Sequence, residues 1–285
     1  MSRIAFLGLG AMGRRMAARL HAAGHDVVVF NRSGVPSGSA ALPMTVAASP
    51  AAAADGAEIV ISMVLDDAAS REVWLGAQGA AAVLRPQTLA IESSTLTPSW
   101  VTGLAQALHA AGADFLDAPV VGSLPQAEAG ALVYLIGGAA EVVERARSVL
   151  AATGGAVHHL GATPAGATAK LLVNTLFGAQ VAMVGELLGV ARRAGLDAAR
   201  MVEVLGALPV TSPAAKAAVA AMVSARFEPL FPIALVRKDL GYALAAAAGA
   251  GASVPIAHCI AELFTKACER GLGGENITAV CKLYG

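Results

Sequence analysis

The chain has 285 residues, enough for one or two domains with a sizeable core. Hydrophobic residues make up 56% and charged residues 14%, a balance that excludes a disordered chain. The formal net charge is +0 and aromatics are 4%, so the sequence lacks both the electrostatic footprint and the stacking surface of a nucleic-acid-binding protein.

Residues 3–7 (RIAFL) are a short apolar run and predict a buried strand. Gly8-Leu9-Gly10-Ala11-Met12-Gly13 follows, and Met16, Ala17, Leu20 and Ala23 then recur at helical spacing up to Gly24. Residues 26–30 (DVVVF) predict a second strand. The G-x-G-x-x-G loop therefore lies between a strand and a helix, which is the context for binding a dinucleotide pyrophosphate. Gly8 permits the tight turn, Gly10 admits the pyrophosphate to the backbone, and Gly13 lets the helix pack closely on the strand. Ala11 and Met12 lie inside this loop, where the helix N-terminus offers free N–H groups to the anion. The second strand ends in Asn31-Arg32-Ser33. A carboxylate here would favour NAD, whereas Arg32 can grip a 2′-phosphate with two parallel donors. Asn31 and Ser33 can add neutral hydrogen bonds, and NADP is expected over NAD.

Further along, residues 44–46 predict a short strand and Pro50 the start of a helix. Residues 58–64 predict a buried strand, 69–74 a short helix, 88–92 a strand and 98–111 a helix ended by Gly112. A strand over 114–120, a strand over 132–136, a helix over 141–150 and a last strand over 157–160 complete the alternation. This pattern predicts an α/β fold with an N-terminal, Rossmann-type doubly wound sheet. From Pro164 onward the strand signal vanishes. Residues 166–194 read as one long helix joining two domains, followed by helices over 198–205, 212–224, 233–248 and 255–270. The expected division is a dinucleotide-binding domain over 1–161 and an all-α domain over 162–285.

Two long uncharged stretches, 33–54 and 240–260, are broken by proline, serine or histidine and lack the strongly apolar run of about 20 residues that a bilayer demands. Cys259, Cys268 and Cys281 match no zinc spacing, and no other cluster suits a metal. With no signal peptide pattern, reduced thiols in a soluble cytoplasmic protein are expected.

In open α/β sheets ligands sit beyond the carboxyl ends of the strands. That rule singles out Asn31-Arg32, Leu65-Asp66, Ser93-Ser94-Thr95 and Val121-Gly122-Ser123. Lys170 and Asn174, at i and i+4 in an apolar segment, share one helix face. Hydride transfer to a carbonyl leaves an alkoxide that needs a proton, and a positioned lysine can give it, or take it in the reverse direction. A snorkelling lysine beside a surface asparagine has the same spacing.

Several ordered motifs carry a resemblance. They are the glycine loop, Ser94-Thr95 with Pro98, Asp117-Ala118-Pro119-Val120, Ala127-Glu128-Ala129-Gly130, Gly137-Gly138, Gly166 with Lys170 and Asn174, and Lys238-Asp239-Leu240. Together they resemble the β-hydroxyacid dehydrogenases, the family of 3-hydroxyisobutyrate dehydrogenase and of the tartronate, glyoxylate and succinic semialdehyde reductases. The resemblance implies an NADP-dependent oxidoreductase that interconverts a small aldehyde or keto acid and its hydroxyacid. It implies that Lys170 is the general acid/base supported by Asn174, that Thr95 and Leu65 flank the cofactor, and that Lys238 reaches it. It also implies that the helical domain mediates a homodimer or homotetramer. In many relatives a serine stands at position 121 and helps hold the substrate carboxylate. Here Val121 removes that hydroxyl, leaving the Gly122 and Ser123 amides to bind an anion. Val173 likewise replaces a second asparagine. Val121 and Leu124 motivate one alternative, a dehydrogenase of a β-hydroxy amino acid or bulkier hydroxyacid; an imine reductase of the same fold and a non-catalytic NADP-binding protein are two others. The related imine reductases usually lack the lysine.

Overall fold

The computed structural model describes residues 1–34 and 44–285. Pro36 and Pro43, two of the residues that interrupt the uncharged stretch at 33–54, lie outside them. The chain forms two compact units, Met1–Lys170 and Leu171–Gly285.

In the first unit six strands make an all-parallel sheet. They are β1 (Arg3–Leu7), β2 (Asp26–Phe30), β3 (Thr45–Val46), β4 (Ile59–Ser62), β5 (Leu89–Glu92) and β6 (Asp114–Asp117), in the order β3-β2-β1-β4-β5-β6. The chain winds outward from β1 in one direction and then, from β4, in the other, so the switch point lies between β1 and β4. The central residues of β1, β2, β4 and β5 are apolar and buried because both faces of the sheet are covered there. Ile4 and Phe6 enter one core cluster with Met16 and Leu20, while Ala5 and Leu7 enter another with Trp74 and Trp100. The connecting helices are α1 (Gly13–Ala22), α2 (Pro50–Ala54), α3 (Asp67–Leu75) and α4 (Pro98–Ala110). Three of them start on ordinary caps: Ser49 accepts from the Ala52 N–H, Asp66 from Ala69 and Thr97 from Trp100.

The strand expected over 114–120 is two strands. β6 ends at Asp117, and after Ala118-Pro119 the chain enters β7 (Val120–Val121), which belongs to another sheet. There it pairs antiparallel with β8 (Leu132–Ile136), and β8 pairs parallel with β9 (Gly154–His159). Pro119 has no N–H to extend a ladder, and the backbone of Asp117, paired with Glu92 of β5, also bridges to Gly137. Among the described residues the nine strands form the expected doubly wound parallel sheet, six-stranded, and beside it a separate three-stranded sheet. α5 (Leu124–Ala129) links β7 to β8, and α6 (Ala140–Leu150) links β8 to β9. The sequence reading did not foresee α5, nor a 3-10 turn at Ala80–Val83.

α7 (Ala165–Arg193) crosses the division between the units. The second unit continues with α8 (Ala198–Ala207), α9 (Pro213–Val223), α10 (Ile233–Gly249) and α11 (Pro255–Glu269), and ends in a 3-10 segment, Ile277–Tyr284. Its core joins Val181 and Leu188 of α7 to Val219, Val236, Ile260, Phe264 and Val280. Among the described residues α7 is long and apolar enough to cross a membrane by length and composition, and 44% of its most apolar window is buried inside the protein. The stretch 240–260 is divided between α10 and α11.

Candidate active site

The glycine loop sits at the switch point. Gly8 has φ +104°, and its N–H donates to the Phe30 carbonyl at 2.8 Å. A Cβ there would overlap the Met63 carbonyl, and one at Gly13 would overlap the Gly8 carbonyl. The protein's own packing therefore demands both glycines. Gly10 differs: no protein atom lies within 4 Å of where its Cβ would be. A side chain there would fill open space above the loop, the space a pyrophosphate uses. Arg15, on the first turn of α1, ties the loop down. Its guanidinium donates to the Ala11 carbonyl at 2.7 Å and pairs with Glu128 of α5 at 2.6 Å. These features fit a dinucleotide.

Asn31 has a role that its sequence position did not reveal. Its Oδ1 accepts from the Leu9 N–H at 3.0 Å, while Nδ2 donates to Ser33 Oγ at 3.1 Å and to the Gly34 carbonyl at 2.6 Å. The side chain braces the glycine loop from within. Arg32 and Ser33, next to it, are exposed at the end of β2.

Leu65 follows β4 and is exposed, and Thr95, partly buried, follows β5. Their loops are joined, because the Val64 N–H donates to Ser94 Oγ at 2.8 Å. Beneath them lies Glu92, only 1% exposed at the end of β5. Its Oε2 accepts from Ser70 Oγ at 2.7 Å and from Trp74 Nε1 at 2.9 Å, and its Oε1 accepts from the Ser94 N–H at 2.9 Å. Trp100 Nε1 donates to Ser70 Oγ at 3.0 Å. This buried network holds the segment that carries Thr95. Sequence reasoning passed over Glu92, although a carboxylate closing the apolar run Leu89-Ala90-Ile91 was a signal that could have found it.

The loop expected to meet a substrate anion is partly engaged by the protein itself. Val121 is partly buried, and Gly122 has φ +129°, where a Cβ would press on Leu132 and Gln126. The Ser123 N–H, however, donates to Gln126 Oε1 at 2.9 Å within a capping box on α5. That amide is occupied by the protein itself, so an anion here would meet the Gly122 amide unless Gln126 gives way.

Lys170 and Asn174 lie one turn apart on α7 and are 9% and 8% exposed, so neither is the surface residue that a snorkelling pair requires. Asn174 Nδ2 donates to Asp239 Oδ2 of α10 at 2.6 Å. A carboxylate only accepts, so the amide must present its NH2 to Asp239 and keep Oδ1 for another donor. Lys238 Nζ lies 3.0 Å from Asp239 Oδ1, an ion-pair contact whose angles do not make a hydrogen bond, and 4.8 Å from the centre of the Tyr242 ring. The Asp239 carboxylate thus sits between Asn174 and Lys238. Asp117, at the end of β6, accepts from the Ala167 N–H at 2.8 Å, and burial pushes its carboxyl up from 3.8 to about 6.

A parallel sheet in this order, a glycine loop at its switch point and a helical second unit define a dinucleotide-binding oxidoreductase. Comparison with known proteins narrows the class. Residues 3–161 match the model of the NAD binding domain of 6-phosphogluconate dehydrogenase, and residues 164–284 match that of the NAD-binding region of NADP-dependent 3-hydroxyisobutyrate dehydrogenase. The chain is 36% identical to a 3-hydroxyisobutyrate dehydrogenase of Pseudomonas aeruginosa, over 100% of this chain and 99% of that one. It is 32% identical to an NAD-dependent L-serine dehydrogenase of the same organism, over 100% and 98% of the two chains. A solved structure of Mycobacterium tuberculosis 3-hydroxyisobutyrate dehydrogenase with L-serine superposes with a TM-score of 0.91 at 32% identity, covering 99% of each chain. The chain belongs to the β-hydroxyacid dehydrogenase family. It is an enzyme, a nicotinamide-dinucleotide-dependent oxidoreductase acting on the CH–OH group of a hydroxyacid.

Proposed function

We propose that the protein uses NADP(H) to interconvert a small aldehyde or keto acid and its hydroxyacid, with Lys170 as general acid/base. The observation that carries this reading is the burial of Lys170 together with Asn174, whose amide is already oriented by Asp239. Burial of two polar side chains on one helix face is costly unless they meet polar partners. The dinucleotide, when bound, supplies or accepts the hydride. Lys170 Nζ gives a proton to the carbonyl oxygen in reduction and takes it from the hydroxyl in oxidation. Asn174 Oδ1 holds either the amine or the substrate hydroxyl. Gly8, Gly10, Ala11, Met12 and Gly13 form the pyrophosphate cradle, Arg32 and Ser33 meet the 2′-phosphate, and Leu65 and Thr95 flank the nicotinamide. Lys238, paired with Asp239, supports Asn174. Val121, Gly122 and Ser123 shape the substrate end.

A second reading keeps this chemistry but takes a β-hydroxy amino acid. Val121 removes a carboxylate-binding hydroxyl, and two of the relatives described above are an L-serine dehydrogenase and a structure holding L-serine. The buried lysine favours both readings over an imine reductase or a non-catalytic binder. A cytoplasmic homodimer or homotetramer is part of the proposal. Leu172, Leu176, Met183, Leu187 and Val190 form an exposed apolar stripe along α7, which self-association would cover.

The test is steady-state turnover of aldehyde acids, keto acids, hydroxyacids and L-serine with NADP(H) and NAD(H), in wild type and Arg32→Ala. The KM for NADP(H) should rise roughly 10- to 100-fold in the variant, the loss of charge-assisted bonds to a phosphate, with NAD(H) changed less than about twofold. Equal losses with both cofactors would sink the NADP assignment. Turnover of L-serine above every simple hydroxyacid would establish the second reading.

A further inference from the structure

Three of the motifs in this chain meet at one carboxylate. Asp117 closes β6, and its backbone is fixed by two bonds with Gly137: the Asp117 N–H donates to Gly137 O at 3.1 Å, and the Gly137 N–H donates to Asp117 O at 2.8 Å. The side chain leaves the sheet and enters the first turn of α7, where Oδ2 accepts from the Ala167 N–H at 2.8 Å. The first amides of a helix have no partner inside it. The residues before Ala165 are Ala162, Thr163 and Pro164, and Pro164, at the usual capping position, has no side-chain acceptor. Asp117 supplies from another element what the local sequence lacks. The Thr163 hydroxyl and the Gly166 amide approach the carboxylate and favour its charge, yet Oδ1 is sealed from solvent without a bond of good geometry.

Two glycines are shaped to this carboxylate. A Cβ at Gly137 would overlap Asp117 Oδ1. A Cβ at Gly166 would overlap the Asp117 and Leu135 carbonyls and come within 2.9 Å of Oδ2. Neither glycine has a left-handed φ, so space for Asp117, rather than an unusual backbone, requires them. Lys170 follows Ala167 by three residues, about 4.5 Å along the helix axis. We infer that Asp117 is a positioning residue: its carboxylate caps α7 across the fold and so sets the height and rotation of Lys170. Asp117, Gly137 and Gly166 then form one device for presenting the lysine, and none of them is a substrate contact. The functional half of this inference rests on the proposed role of Lys170; the cap itself does not.

The test uses the full-length protein as wild type, Asp117→Ala and Asp117→Asn. Asn keeps an acceptor oxygen of the same reach. Hydrogen–deuterium exchange of the amides at 165–170 should quicken roughly 5- to 30-fold in Asp117→Ala, the span expected for a lost cap, while β1 and α1 exchange as in wild type. Asp117→Asn should stay within about threefold of wild type. In turnover, kcat should fall by a similar factor in Asp117→Ala, with KM for substrate nearly unchanged, and recover in Asp117→Asn. Unchanged exchange at 165–170 in Asp117→Ala would overturn the cap. Quickened exchange with an unchanged kcat would overturn the positioning role. A fully active Lys170→Ala would instead remove the proposed role of the lysine, and the exchange result would still judge the cap. Should Asp117→Ala not fold, Asp117→Ser, polar but too short to reach Ala167, reads the same exchange.

Discussion

Glu92 and Asp117 close neighbouring parallel strands at paired register positions, and both are buried. Their surroundings differ. Glu92 meets the Ser70 hydroxyl, the Trp74 indole and the Ser94 amide, so both of its oxygens are engaged. Asp117 engages Ala167 through Oδ2 only, and its carboxyl is held near 6 because burial outweighs the donors around it. One carboxylate is embedded in a closed network that braces loops. The other is half-satisfied and sits where the helix carrying Lys170 begins. The contrast teaches that equivalent positions on adjacent strands can serve rigidity in one case and placement in the other, according to the donors that surround them.

The comparison can be broken first at Glu92. Replacing it with Ala leaves the buried Ser70 hydroxyl and Ser94 amide without their acceptor, and Trp74 with Ser62 Oγ alone, and should cost about 3–5 kcal/mol in urea denaturation. A loss under about 1 kcal/mol would show that the network carries little. Asp117→Asn should act in the opposite sense. A carboxyl whose folded pKa is raised from 3.8 to about 6 contributes stability below pH 4 that is lost as pH rises to 6 and beyond. Wild type should therefore lose stability relative to Asp117→Asn between pH 4 and 6, by at most about 3 kcal/mol. Parallel stability curves for the two proteins across that window would contradict the assignment. Smallest is Ser70→Ala, which removes one donor to Glu92 and the acceptor of Trp100, for about 1–2 kcal/mol. The chain has only 2 tryptophans, and both belong to this network, so their emission should shift in this variant. Unaltered emission would mean that Trp100 does not depend on Ser70.

What the sequence disclosed follows from the range of the interactions involved. β1, β2, β4 and β5 were legible because apolar runs between helical patterns reflect burial on both faces. The glycine loop was legible because its three glycines answer to backbone geometry within a few residues. The break at Ala118-Pro119 was not, since a proline near a strand's end does not say that the chain goes on into another sheet. α5 is six residues long and too short to display a helical period. The contacts of Asn31 with Leu9, of Asp117 with Ala167 and of Asn174 with Asp239 join residues 22, 50 and 65 positions apart, and no local pattern announces them. The engagement of the Ser123 amide was hidden for a related reason, because the side chain that occupies it comes from a helix the sequence had not shown.

The central claim is proton transfer by Lys170. Single-turnover hydride transfer, followed by NADPH absorbance with enzyme in excess over cofactor and saturating carbonyl substrate, tests it most directly in wild type and Lys170→Ala. The account predicts a rate at least about 100-fold lower in the variant, the usual scale of general acid catalysis, with NADPH affinity within about threefold of wild type. Hydride transfer at the wild-type rate in Lys170→Ala would contradict it.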